Sequence, residues 1–177
     1  MRLPALLLAA LALAGCAGES FRDTSAPIAA QRDFNPERYL GLWYEIARFP
    51  VRFEEGCVAT TAEYGAIDAT TVSVRNTCRK GAPDGPVQGV SGTATVVGPG
   101  QLKVKFPKVP FVSADYWVLW VDADYQTAVV GVPSGTSGWI LARTPAIDAA
   151  RRAEAEAVLA RNGYDVSRLY DVPQARP

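Results

Sequence analysis

The sequence predicts an all-β fold: an eight-stranded, antiparallel, up-and-down β-barrel with one C-terminal α-helix packed on its outside. Three observations predict it. Beyond Asn35 the chain divides into eight short runs rich in β-branched and aromatic residues, separated by Gly, Pro and Asp turn signals at regular spacing. None of the breaks is long enough for a crossover helix, so neighbouring strands run antiparallel. Eight such strands that close leave no free edge and enclose one small-ligand cavity.

The first element lies outside that fold. Residues 1–15 carry one early positive charge, Arg2, and an apolar run from Leu3 to Ala14, the pattern of a secretory signal peptide. The ending Leu13-Ala14-Gly15-Cys16 resembles the lipobox of bacterial lipoproteins. That resemblance implies cleavage after Gly15 and lipidation of Cys16 as a palmitoylated diacylglyceryl-cysteine. The alternative is an ordinary signal peptide with a coincidental cysteine. Two or more acyl chains give stable membrane anchoring where one does not. Ala17 rather than Asp after the cysteine resembles the outer-membrane sorting pattern. The segment 16–33 is small, polar and aperiodic. It reads as a lipidated cysteine and flexible tether with a reach of about 20–25 Å, leaving 34–177 as one folded domain.

Composition narrows the chemistry. At 49% hydrophobic the chain supports a sizeable core. Lys+Arg and Asp+Glu are equal at 18 each, so there is no electrostatic footprint for nucleic acid. With no histidine, Ser-His-Asp and Cys-His activation and the commonest zinc ligand are excluded. No cofactor or metal is implied. An enzyme would have to work with carboxylates, tyrosine or a free thiol.

Within the domain, Asn35-Pro36-Glu37 reads as a short helical start that Gly41 ends. The strands are expected at 43–48, 57–64, 70–77, 87–97, 101–106, 115–121, 126–132 and 138–143. If Cys16 carries lipid, Cys57 and Cys78 remain, in an oxidising compartment that favours a disulfide. A turn centred on Ile67-Asp68 places them opposite each other in a hairpin. Two free buried thiols are the alternative. The helix is expected from Thr144 as N-cap and Pro145 as first residue to Gly163, laying the stripe Ala146, Ala150, Ala153, Ala157 and Ala160 on the barrel wall.

Three motifs in order resemble the lipocalin family. Gly41-Leu42-Trp43 is similar to its G-x-W signature on the first strand. Asp122 and Tyr125 resemble the second signature, between the sixth and seventh strands, and Arg143 the third, just before the helix. The likeness covers Phe34 to the C-terminus. "WYEIARFPVRFEEG" and "WILARTP" look most like the bacterial outer-membrane lipoproteins of the apolipoprotein D-like branch. The resemblance implies a calycin-type barrel that binds and carries or stores fatty acids, lysophospholipids or similar amphiphiles. It would act at the periplasmic face of the outer membrane, without catalysis. Some members dimerise, so a homodimer is among the implied partners. A lipocalin-fold isomerase or epoxide-type enzyme, and a non-catalytic envelope interaction protein, are the alternative readings.

Strict alternation along the strands then assigns the interior. Gly41, Trp43 and Arg143 form the barrel base, with Arg143 across Trp43 as a cation–π pair. Glu45 and Ala47 follow inward on the first strand, Tyr116, Val118 and Trp120 on the sixth, and Trp139 on the eighth. Phe49 and Phe111 join them as candidate ligand contacts near the mouth. The mouth loops carry Arg48, Arg52, Arg79, Lys80, Lys105 and Lys108 against Glu54, Glu55, Asp84 and Asp115, a weak positive bias suited to an anionic head group. Glu45 is either a catalytic acid or, preferably, a buried carboxylate satisfied by an Arg or Tyr inside the barrel.

Overall fold

A computed structural model describes residues 18–107 and 113–175. The signal segment and Cys16, and Lys108, Val109 and Phe111 of the fifth-to-sixth strand connection, lie outside the described residues. The eight strands form as expected, at β1 Gly41–Arg48, β2 Cys57–Ala66, β3 Thr71–Lys80, β4 Val87–Gly98, β5 Gln101–Lys105, β6 Ala114–Val121, β7 Thr127–Gly131 and β8 Gly138–Ala142. Each pairs antiparallel with its neighbour, and β1 closes the barrel by pairing with both β8 and β2. A ninth strand, β9 (Tyr170–Asp171), pairs with the upper half of β1, where β2 has diverged. Gln174 bridges the same gap, donating to the carbonyls of Glu45 and Thr60.

Helix α1 (Pro36–Tyr39) is capped by the Asn35 side chain and plugs the base. Helix α2 (Ala149–Arg161) starts later than expected, with Asp148 as N-cap accepting from the Arg151 N–H. Thr144 instead donates to the Ala146 carbonyl, which holds 144–148 as a turn. The alanine stripe faces solvent. The buried face is Ala155, Val158 and Leu159, because the larger branched side chains remove more apolar surface from water than alanines do.

Two apolar clusters result. One fills the barrel, from Trp43, Tyr39 and Tyr64 to Val118, Val121 and Leu141. The other lies outside the barrel under α2 and includes Ala47, Phe49, Leu119, Val129, Ile140 and Tyr164. Two β-bulges decide which residues go where. One falls between Glu45 and Ala47, the other between Val118 and Trp120. Each inserts a residue and swaps the faces beyond it. Ala47, Phe49 and Trp120 therefore pack outside the barrel rather than inside it, while Arg48 and Val121 turn inward.

The segment 18–33 is not a free tether. Phe21 is 5% exposed and stacks on Phe49 at 5.1 Å between ring centroids. Its N–H donates to the Gly135 carbonyl, and its carbonyl accepts from Asp165. Arg22 is buried too, donating to the carbonyls of Pro133, Ala26 and Asn162. Gly135 has φ +70°, and a Cβ there would lie 2.2 Å from Arg22 Cγ, so the loop needs glycine to receive the strap. Small polar composition conceals this docking because isolated anchors, Phe21 and Arg22 foremost, and scattered backbone bonds at Asp23, Ala29 and Gln31 carry it, with no periodicity.

Candidate ligand-binding site

The barrel is sealed at one end. Trp43 is fully buried, its indole N–H donating to the Tyr39 carbonyl at 2.8 Å. The Arg143 guanidinium lies 3.8 Å from the Trp43 ring centroid. It also donates to the carbonyls of Leu42, Arg38, Leu40 and Tyr125, tying β1, α1 and the β6–β7 turn together. Gly41 has φ +93° and would place a Cβ 3.4 Å from Arg143 Nη1, which explains glycine two residues before the tryptophan. Asp122 accepts from the Gln126 and Thr127 N–H groups and pairs with Arg151 of α2 at 2.9 Å. The Tyr125 hydroxyl accepts from the Asn35 N–H. The three motif sets are thus one fastening for the base.

Above the base is a cavity of about 620 Å³, open at the end formed by the β1–β2, β3–β4, β5–β6 and β7–β8 loops. Its wall is largely apolar, from Ala62, Val74, Val90, Ala94, Val104, Phe106 and Leu141, with Trp139 alongside. At the floor, the Tyr116 hydroxyl is 2.8 Å from those of both Tyr39 and Tyr64. Burial raises all three phenols well above their ordinary range, so they stay neutral hydrogen-bonding groups.

One ionic cluster interrupts this wall. Glu45 and Glu54, 4% and 7% exposed, both pair with Arg48, at 3.3 Å and 3.0 Å. The same guanidinium donates to the carbonyls of Glu54 and Cys57, and Trp139 Nε1 donates to Glu54. Burial and the neighbouring Glu54 carboxylate push Glu45 well above the usual carboxylate range, against the pull of Arg48. Burial raises Glu54 as well, again opposed by Arg48. One guanidinium between two carboxylates leaves a net negative charge, and one proton on Glu45 makes the cluster neutral.

Of the expected pocket residues, Glu45, Tyr116 and Trp139 line the cavity. Val118 is buried in the same inner cluster without lining it, and Ala47, Phe49 and Trp120 are behind the wall. Phe111 is outside the described residues. Sequence reasoning missed Tyr64 and Asn76, and placed Glu54 only as a mouth-loop acid, not as the buried partner of Arg48. Alternation on the β2–β3 hairpin would have found the first two; nothing local marks Glu54, which sits in a 3₁₀ turn, Arg52–Glu54. The mouth charges are partly engaged: Arg48 and Glu54 withdraw together into one buried pair, which leaves the excess of basic residues unchanged. Arg48 is buried in its pairs, while Lys80 and Arg79 donate to the carbonyls of Glu55 and Gly85.

Cys57 and Cys78 are bridged, with Cα atoms 5.4 Å apart. They are not directly opposed: Cys57 faces Lys80 on β3, and Cys78 lies opposite the β2 bulge at Ala59-Thr60, because the hairpin turn lies later than Ile67-Asp68 and that bulge follows Val58. A diagonal bridge forms across that bulge.

The lipocalin-like domain family matches residues 34–174. The chain is 38% identical to temperature-induced lipocalin-1 of Arabidopsis thaliana, over 81% of each chain. It is 40% identical to the outer membrane lipoprotein Blc of Escherichia coli, over 83% of each. Among solved structures, insecticyanin of the tobacco hornworm superposes with a TM-score of 0.70 at 20% identity, covering 90% of this chain and 88% of that one. With the barrel, its fastened base and its open cavity, these likenesses show that the chain belongs to the lipocalin family.

Proposed function

We propose that this lipocalin binds and carries or stores small amphiphilic lipids, fatty acids or lysophospholipids, while anchored through Cys16 at the periplasmic face of the outer membrane. The observation that carries the reading is the apolar-walled cavity of about 620 Å³, within the ~300–1,000 Å³ range of small-molecule sites. Polar groups set into a mainly apolar wall suit a ligand with an acyl chain and one polar end. The lipobox and the 40% identity to an outer membrane lipoprotein support the location.

The docked strap supports it further. Gly18 lies beside Thr136, a Cβ on it falling 3.7 Å from Thr136 Cγ2, and Ser20 donates to the Ser134 carbonyl, both on the β7–β8 loop at the cavity mouth. Cys16 precedes Gly18 by two positions, a reach of at most ~7 Å. A lipid on Cys16 would hold the mouth against the bilayer, where an amphiphile enters without crossing bulk water. The role is non-catalytic. The bridge occupies both cysteines of the domain, and Arg48 holds the two buried carboxylates.

Palmitate or lysophospholipid titrated into the protein should quench the Trp139 contribution to fluorescence saturably, and Trp139→Phe should remove most of the change. No saturable change across a panel of acyl amphiphiles, with none co-purifying in native mass spectrometry, would overturn the carrier reading. Cys16→Ser should release the protein from membranes.

A further inference from the structure

Beneath the Cys57–Cys78 bridge the wall holds a second, smaller chamber of about 160 Å³, lined among others by Glu54, Thr60, Asn76, Thr77 and Gln88. It adjoins the main cavity: Phe53, Glu54, Asn76 and Val90 line both. The chamber is below the size range of whole-ligand sites, which run ~300–1,000 Å³, and fits one part of a ligand.

Its polar groups are unusual. Thr60 is 2% exposed, and its hydroxyl has no hydrogen-bond partner among the described residues. The Asn76 side-chain oxygen is buried and equally unpartnered. Thr60 and Asn76 come from adjacent strands, β2 and β3, and both line this chamber. Buried polar atoms are normally paired because leaving them unpaired destabilises the fold. Two such atoms, on residues that line one chamber, mark a place where a small shift of either side chain would gain a partner.

The charges around it indicate which partner. Glu45, Glu54 and Asp115 line the main cavity, Asp115 paired with Lys103 at 2.7 Å, and no Lys or Arg lines either space among the described residues. Arg48, the nearest guanidinium, is engaged by both glutamates and two carbonyls. A carboxylate head group placed here would lie beside the Glu54 carboxyl with only neutral donors, such as the Thr60 hydroxyl and the Gln88 amide, and no free cation among the described residues to offset the like charge. A head group with hydroxyl donors would meet the Asn76 oxygen, the Glu54 carboxyl and the Thr60 hydroxyl.

We propose that this side chamber is a head-group subsite, and that it selects a neutral, hydroxyl-bearing head group of the glycerol type over a free carboxylate. The inference rests on the lipid-carrier reading and narrows it, against ionised fatty acids as the preferred ligand. The acyl chain then occupies the main cavity, toward the floor of Tyr64 and Tyr116.

The test is displacement of an apolar fluorescent probe, N-phenyl-1-naphthylamine, from the delipidated mature protein at pH 8. The competitors are 1-monopalmitoylglycerol and palmitate, both below micelle-forming concentrations. The glyceride should displace the probe at about tenfold lower concentration, the worth of roughly one net hydrogen bond. In Thr60→Val, a change of similar shape, the ratio should fall toward one; Asn76→Val gives a second, independent reading of the same ratio. Equal or tighter displacement by palmitate, or a ratio unmoved in both variants, overturns the subsite while leaving the carrier reading intact. Displacement by neither lipid, with the probe bound, overturns the carrier reading and the subsite with it.

Discussion

Replacing Arg143 tests whether the base is fastened by a fork of hydrogen bonds or merely by a charge. Arg143→Ala removes four donated bonds, to Leu42, Arg38, Leu40 and Tyr125, and the cation stacked 3.8 Å from the Trp43 ring centroid. The bonds to Leu42 and Arg38 are exposed, so water replaces much of their worth. Those to Leu40 and Tyr125 are partly buried and count at about 1 kcal/mol each. The stacked cation adds about 1 kcal/mol, and lost packing of the side-chain stem a fraction more. The sum is about 3–4 kcal/mol, a large share of the ~5–15 kcal/mol that holds a typical domain together. Urea denaturation of the disulfide-intact protein should show it as a midpoint lowered by about 1.5–2 M, for a slope of about 2 kcal/mol/M.

Arg143→Lys discriminates between the two accounts. A lysine keeps the charge over Trp43 but has no planar fork to reach carbonyls on three different segments. It should recover less than half of the loss. A double-mutant cycle with Trp43→Leu should give a coupling of about 0.5–2 kcal/mol. An alanine variant within about 1 kcal/mol of wild type, a lysine variant at full stability, or no coupling to Trp43 would each refute this account of the base.

Other perturbations probe the wall and the strap. Arg48→Met leaves Glu45 and Glu54 buried without their cation and should cost about 3–5 kcal/mol near pH 8; urea melts from pH 5 to 8 should show the deficit growing as the carboxyls ionise. Burial raises Glu45 in the fold above its unfolded value. Its protonated form therefore favours folding below the ordinary carboxylate range, and that contribution is lost as pH rises through the raised value. Glu45→Gln should accordingly gain stability relative to wild type with rising pH, and a constant difference across the range counts against the shared-cation account. Replacing Cys57 and Cys78 by alanine opens a loop of sequence separation 21 and should cost about 3 kcal/mol in thermal or urea unfolding. Phe21→Ala should release the strap, seen as faster hydrogen exchange at the Phe21 and Asp165 amides while the barrel strands stay protected.

The parts legible in the sequence were those with a local signature. Turn residues separated the strands because glycine and proline have few other uses there. The Asn35 cap, the base pair of Trp43 and Arg143, and the bridge between Cys57 and Cys78 could all be read from residue type and order. What escaped was set by geometry with no mark in composition. The start of α2 was misplaced because Thr144 and Asp148 are both good caps, and only the turn bonded through Thr144 decides for Asp148. Its alanines were assigned to the wall because they share a stripe, yet Val158 and Leu159 won that face. The strap was invisible because Phe21 and Arg22 are single anchors in an otherwise featureless segment.

The bulge between Glu45 and Ala47 links the fold to the chemistry most directly. Under strict alternation Arg48 would face away from Glu45, as a free cation at the mouth ready for an anionic head group. One added residue turns Arg48 inward, where Glu45 and Glu54 consume its charge, and turns Ala47 and Phe49 out, where Phe49 receives Phe21 of the strap. The same local irregularity thus removes a positive charge from the ligand's path and builds the seat for the segment that leads to Cys16. Deleting Ile46, the inserted residue, should restore regular alternation with Ala47 still opposite Ile140 and Arg48 still turned inward, so both the Arg48 pairs and the Phe21 seat should survive it. Pocket polarity and mouth orientation therefore both follow from the register that β1 holds on β8 beyond Glu45.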